Sequence, residues 1–169
     1  VDISDPVNSI FLGRLDIENG SISFWRDVKI YNNHAFIVAD NVGSHGMQVF
    51  DLTKLRGVTS PQNFTSDAVF NGVGSCHNIV INEQTAVSYL VGCNTFSGGI
   101  HFVDISNPKN PVDAGGYSAE GYTHDAQVLT YNGPDTDYTG KEIYIGSNEN
   151  EVVVLDVTDK SNVVKISDI

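Results

Sequence analysis

His77-Asn78 and His124-Asp125 are two histidine-polar pairs that each open an apolar run, and Arg26-Asp27 stands at the corresponding place upstream. The intervals are 77 − 26 = 51 and 124 − 77 = 47 residues. If the three runs were brought side by side, they would gather imidazoles, carboxylates, an amide and a guanidinium at one opening. Convergent polar groups at the mouth of a channel are the usual place for a ligand. Such a ring could hold an anion or a divalent cation: imidazole nitrogen favours a transition metal, and oxygen-only ligation favours calcium. The same side chains are also suited to bonding neighbouring strands and fixing their packing, and the sequence leaves both roles open. A second cation candidate lies in Asn132 to Lys141, where Asp135 and Asp137 stand two apart. Its Asn-Gly, Pro-Asp and Thr-Gly pairs are equally good turn formers. His34, His45 and His101 read as structural or solvated. Ser75 precedes Cys76 and His77, but no Gly-x-Ser-x-Gly elbow surrounds it, so a nucleophile triad has no local support.

What must position these residues is a repeat. Four times a short apolar strand runs into an aspartate and a turn, at Asp2, Asp51, Asp104 and Asp156, with intervals of 51 − 2 = 49, 104 − 51 = 53 and 156 − 104 = 52 residues. A strand-built period of about 40 to 50 residues is the signature of a propeller blade. Upstream of Asp51, Trp25 to Tyr31 and His34 to Asp40 flank an Asn32-Asn33 turn, which predicts a hairpin. The later repeats copy it with Cys76 to Ile81 and Ala86 to Cys93, then with Thr123 to Tyr131 and Glu142 to Glu149. After each aspartate strand a weaker fourth strand is expected, in Ser9 to Leu15, Pro111 to Tyr117 and Asn162 to Ile169. Thr53 to Arg56 is the one plausible helical turn, in a loop that runs on through Pro61 to Phe64.

The expectation is an all-β β-propeller of four-stranded antiparallel blades, about three and a half of them. Residues 1–20 form the outer half of a blade, and 21–70, 71–120 and 121–169 are complete ones. Rings close with four to eight blades, so the chain is expected to belong to something longer or to an assembly. It begins inside a repeat, as a mature fragment would.

Cys76 and Cys93 bracket one hairpin, and folding about Asn82 to Thr85 sets them nearly opposite. Opposed residues on antiparallel strands lie within disulfide reach. A Cys76–Cys93 disulfide is therefore predicted, the alternative being two buried thiols. Their spacing does not fit a zinc site.

The chain holds 9 Lys+Arg against 21 Asp+Glu, a formal charge of −12. This disfavours nucleic acid and anionic membranes as partners. No apolar run reaches the 18 or more residues of a membrane-spanning helix, and no signal-peptide pattern opens the chain. With 40% hydrophobic residues there is material for an ordered core. Asn19-Gly20-Ser21 and Asn63-Phe64-Thr65 satisfy the glycosylation sequon.

The aspartate segments, VDISDPVNS, VDISNPKNPV and LDVTDKSNVV, resemble the LVIVD repeat. The longer run from WRDVKIY through HGMQVFDLTKLR and THDAQ to LDVTDKSN is similar to the choice-of-anchor B proteins. The resemblance covers nearly the whole chain. It implies a β-propeller carried by secreted or surface-anchored, mostly bacterial proteins whose role is not established. Two function classes follow. One is an extracellular scaffold that binds a protein, a glycan or further copies of itself, using His45 to Gln48 and Gly146 to Glu151 as rim loops. The other is a metal-dependent hydrolase with His77, His124, Asp27 and Asp125 around an ion and an activated water.

Overall fold

The computed structural model describes residues 1–169. The strands are β1 (Gly13–Leu15), β2 (Arg26–Tyr31), β3 (His34–Ala39), β4 (Met47–Asp51), β5 (Gln62–Phe64), β6 (Ala68–Phe70), β7 (Asn78–Asn82), β8 (Val87–Val91), β9 (Ile100–Asp104), β10 (Val112–Tyr117), β11 (Thr123–Thr130), β12 (Glu142–Asn148), β13 (Val152–Asp156) and β14 (Val164–Asp168). Three 3-10 turns, at Leu52–Leu55, Phe96–Gly98 and Thr136–Tyr138, are its only helical segments. Twelve of the strands form three four-stranded antiparallel sheets, ordered β2-β3-β4-β6, β7-β8-β9-β10 and β11-β12-β13-β14. Each sheet therefore follows chain order from an inner strand to an outer one, as the repeat predicts.

The turns explain why the strands fold back. Asn32 and Asn33 both take positive φ, 45° and 59°, the two-residue hairpin geometry that matches strand twist and that asparagine tolerates. The repeat aspartates act at the other connection. Asp2, Asp51, Asp104 and Asp156 each accept, through Oδ1, the backbone N–H two residues on, from Ser4, Thr53, Ser106 and Thr158. In Asp2, Asp51 and Asp156 the same oxygen also accepts the hydroxyl at 2.6 Å. This is why aspartate is followed by Ser or Thr at that spacing: the pair closes the turn that leads to the fourth strand. Asp104 faces Val112 and Asp156 faces Val164. The isolated Asp2–Ile10 bridge keeps the same eight-residue offset.

The three sheets stack face against face. Phe36, Val38, Met47 and Val49 of the first sheet pack with Ile79, Leu90 and Val103 of the second to make one core. Val80, Tyr89 and Phe102, on the other face of the second sheet, pack with Ala126, Tyr144, Val153 and Leu155 of the third. Alternate residues of one strand thus enter different cores, which accounts for the unbroken apolar runs in the middle repeat. Lateral bonds between sheets join the inner strands β2, β7 and β11.

Two elements depart from expectation. Ser9 to Leu15 does not continue as an antiparallel fourth strand: β1 pairs in parallel with β5. Antiparallel pairing there stops at the isolated Asp2–Ile10 bridge, and β1 meets the loop after Asp51 instead. A side chain at Gly13 would lie 2.1 Å from the Gln62 carbonyl oxygen, at φ +145°, so only glycine permits the approach. In the first repeat the fourth strand is β6. Its ladder places Ser66 opposite Asp51, because 49 + 68 = 51 + 66, an offset of 15 residues where the other repeats use eight.

The predicted disulfide is present between Cys76 and Cys93. The pairing of β7 with β8 sets Asn78 against Val91, and 78 + 91 = 76 + 93. The two cysteines are therefore opposed residues at the end of one ladder.

Candidate functional site

The N-terminal ends of β2, β7 and β11 deliver the residues singled out above to one end of the inner-strand bundle. Asp27, Asn78 and Asp125 behave alike. Each turns its side-chain oxygen back to accept the next backbone N–H, from Val28, Ile79 and Ala126 at 2.8, 2.8 and 2.7 Å. Asp27 and Asn78 each keep a second atom for the neighbouring sheet, whereas Asp125 receives its neighbour on the same Oδ1. Asp27 Oδ2 accepts the Ile79 N–H at 3.1 Å, and Asn78 Nδ2 donates to Asp125 Oδ1 at 3.0 Å. Lys29 Nζ neutralises Asp27 at 2.6 Å. These three residues are lateral stitches between sheets.

The histidines form a separate layer. His77 Nε2 lies 3.1 Å from His124 Nε2, with ring centroids 4.3 Å apart. On its other side, His77 Nδ1 lies 2.9 Å from Asp40 Oδ2. A carboxylate accepts, so Nδ1 carries the hydrogen, and it is Nε2 that faces His124. Asp40 is itself held by the Asn41 N–H at 2.7 Å and the Ser75 hydroxyl at 3.0 Å. Burial pushes its carboxyl up, but the bonds from His77, Asn41 and Ser75 outweigh burial and keep it below the ordinary carboxylate range.

Local backbone sets this geometry. The β11–β12 register skips from Thr123–Asn148 to Asp125–Ser147, which leaves His124 as the extra residue of a bulge. Bulges re-aim side chains next to functional sites. Gly92, at φ +60°, admits His77: a Cβ there would lie 2.6 Å from the His77 Cβ.

Arg26 does not join this layer. Its Nη1 lies 3.0 Å from Nε2 of the buried His45, whose Nδ1 donates to the Gly46 carbonyl at 2.9 Å. Burial, with the Arg26 charge beside it, holds the His45 pKa below its ordinary value, so the neutral ring serves as a fixed acceptor. Asp135 and Asp137 lie in the hairpin loop at the opposite end of β11 from His124. An eight-residue strand spans roughly 25 Å, so the two aspartates and the two histidines do not share a site. Asp135 instead caps the 3-10 turn by accepting the Asp137 N–H at 3.1 Å. No three His, Cys, Asp or Glu side chains are grouped to hold a metal ion. Below the polar layer, Val28, Ile30, Val80, Ile81, Gln127 and Val128 line a groove of about 370 Å³ between the inner strands.

Asp40 carries no signal in the sequence because it follows the end of β3 rather than standing beside a histidine. A second unforeseen arrangement surrounds His101, which is 2% exposed and lies edge-on to both Phe70 and Phe96. Its Nδ1 meets the Thr95 hydroxyl at 3.0 Å and its Nε2 meets Asp113 at 3.1 Å. Although hydroxyl, imidazole and carboxylate are in line, the two phenyl rings enclose the imidazole and leave no place for a substrate.

The fold and this end of it define an all-β repeat protein with a layer of polar residues at the N-terminal ends of its inner strands. Residues 95–119 and 138–168 match the family model of the LVIVD repeat. Those segments span β9 and β10, and then β12 to β14, so the matched unit is the outer part of a sheet centred on the repeat aspartate. No curated protein and no solved structure matches the chain.

Proposed function

We propose that the chain is part of a secreted or cell-surface β-propeller that acts as a binding or structural scaffold, engaging an extracellular protein, a glycan or further copies of itself. The observation that carries this reading is the stitching of successive sheets through one repeat position, Asp27 to Ile79 and Asn78 to Asp125. Such stitches hold inner strands side by side, and a propeller is built by repeating that contact around an axis. The LVIVD match supports a propeller-like array of the same kind. The Cys76–Cys93 disulfide supports an oxidising compartment. No helix is long and apolar enough to cross a membrane.

Two measurements test the reading. Alkylation of cell fractions before lysis reports whether Cys76 and Cys93 are oxidised where the protein resides; the expected result is oxidised cysteines in a protease-accessible fraction. Assays of the purified protein on model esters and phosphoesters, with and without divalent metals, are expected to show no turnover. Reduced cysteines in a cytosolic fraction refute the location, and metal-dependent hydrolysis abolished in His77→Gln refutes the scaffold role.

A further inference from the structure

We propose that His77 and His124 together bind a borderline divalent metal ion of the zinc, copper or nickel type, with Asp40 as the positioning residue that orients His77. The ion would clip the second sheet to the third at the axial end. This inference stands on the local geometry and does not depend on the scaffold reading.

Three observations carry it. First, the separation is right. Metal–nitrogen bonds of about 2.0–2.1 Å put two ligand nitrogens roughly 2.9 Å apart at a right angle and roughly 3.3 Å apart at the tetrahedral angle. The Nε2–Nε2 distance of 3.1 Å lies between them. Second, His77 has the outer-shell partner of a metal ligand. The Asp40 carboxylate accepts from Nδ1 at 2.9 Å, which leaves Nε2 as the nitrogen available to a metal and fixes the ring's orientation. Asp40 is in turn fixed by Asn41 and Ser75, so the ligand is oriented before any ion arrives. Third, the backbone is shaped for the contact: the bulge projects His124, and Gly92 leaves room beside His77. His124 is exposed, so water can complete the coordination shell.

The competing account of the same contact is a hydrogen bond between imidazoles, with His124 Nε2 as donor. The two differ in measurable ways. Purified, tag-free protein stripped with chelator is titrated with zinc chloride by calorimetry, and with cobalt(II) by visible absorption. Binding of one equivalent is expected, with a cobalt ligand-field band, and with affinity at least 10-fold weaker in His77→Gln and in His124→Gln. Asp40→Asn, which keeps both histidines, is expected to weaken affinity about 10- to 100-fold, while His34→Gln leaves it unchanged. Circular dichroism confirms folding of each variant. Absence of zinc binding by the parent protein, or equal binding by the His77 and His124 variants, overturns the proposal. A variant that fails to fold is replaced by diethylpyrocarbonate modification of the parent, in which bound zinc is expected to protect two histidines; equal modification with and without zinc likewise overturns it.

Discussion

Glu142→Ala tests the energetics of sheet stacking most directly. Glu142 opens β12 at 3% exposure and accepts from Asn82 Nδ2 at 2.8 Å, from Thr85 Oγ1 at 2.7 Å, and from Lys160 Nζ. Asn82 and Thr85 belong to the second sheet's hairpin, whereas Glu142 and Lys160 belong to the third repeat, so one carboxylate joins the two. Lys160 also donates to the Val157 carbonyl at 2.8 Å and lies over the rings of Tyr89 and Phe102. Truncating Glu142 leaves the ammonium with one carbonyl and two aromatic faces, and strips Asn82 and Thr85 of an acceptor. Breaking a buried ion pair from one side costs about 3–5 kcal/mol, and the orphaned amide and hydroxyl fall within that range because their losses overlap with it. Replacing both partners, as Glu142→Leu with Lys160→Met, removes the stranded charge. The double variant is expected to lose at least 1 kcal/mol less than the two single losses combined. Urea unfolding followed by Trp25 fluorescence and circular dichroism measures Glu142→Ala, Glu142→Leu, Lys160→Met and the double variant. A loss below about 1 kcal/mol in Glu142→Ala, or strict additivity in the cycle, refutes the reasoning. The pH dependence has a definite sign. Burial pushes the carboxyl up, yet Lys160 and Thr85 outweigh it and hold the pKa below the ordinary value. Its stabilisation is therefore present at neutral pH and is lost as pH falls through the carboxylate range.

Three further outcomes are expected. Cys76 and Cys93 are 17 residues apart, so by the chain-entropy relation reduction costs about 3 kcal/mol, read as a drop in urea midpoint with and without reductant; no shift refutes it. Burial holds the His101 pKa down, against the opposing pull of Asp113. Because its folded pKa is depressed, its contribution is whole above the unfolded value of about 6.5 and declines below it. His101→Leu should thus flatten the stability profile between about pH 7 and pH 5, leaving the part due to His45; an unchanged slope refutes it. Asp156→Ala removes two turn bonds to Thr158 and the Lys141 ion pair. It should cost about 1–2 kcal/mol in urea denaturation, and a neutral variant would show the repeat aspartate to be dispensable for the turn.

Where every level of the sequence agreed, the fold could be read from it. The aspartates, the Asn-Asn turn and the apolar runs located three sheets and their strand order, and hairpin symmetry located the disulfide. The reading failed where the chain leaves its period. Seven additional residues after Asp51 displace the fourth strand to Ala68–Phe70, and neither β1 nor β5 carries enough alternation to reveal that they pair in parallel. The site was legible by residue but not by partner. Arg26 shares a repeat position with His77 yet turns to His45, because that buried ring offers an acceptor within its own repeat. Asp40 and the bulge at His124 depend on register, which a list of spacings does not contain.

The second sheet contributes to both hydrophobic clusters, whereas each neighbour contributes to one. Amide protons of Tyr89, Leu90 and Phe102 can reach solvent only after an interface on one side has opened, whereas those of β14 need only the terminal ladder to fray. Native-state hydrogen exchange should therefore be slowest at the middle of the chain and fastest toward both ends. A cut or a destabilising lesion in an outer repeat would erode the array from its flank and leave the central hairpin as the last folded remnant.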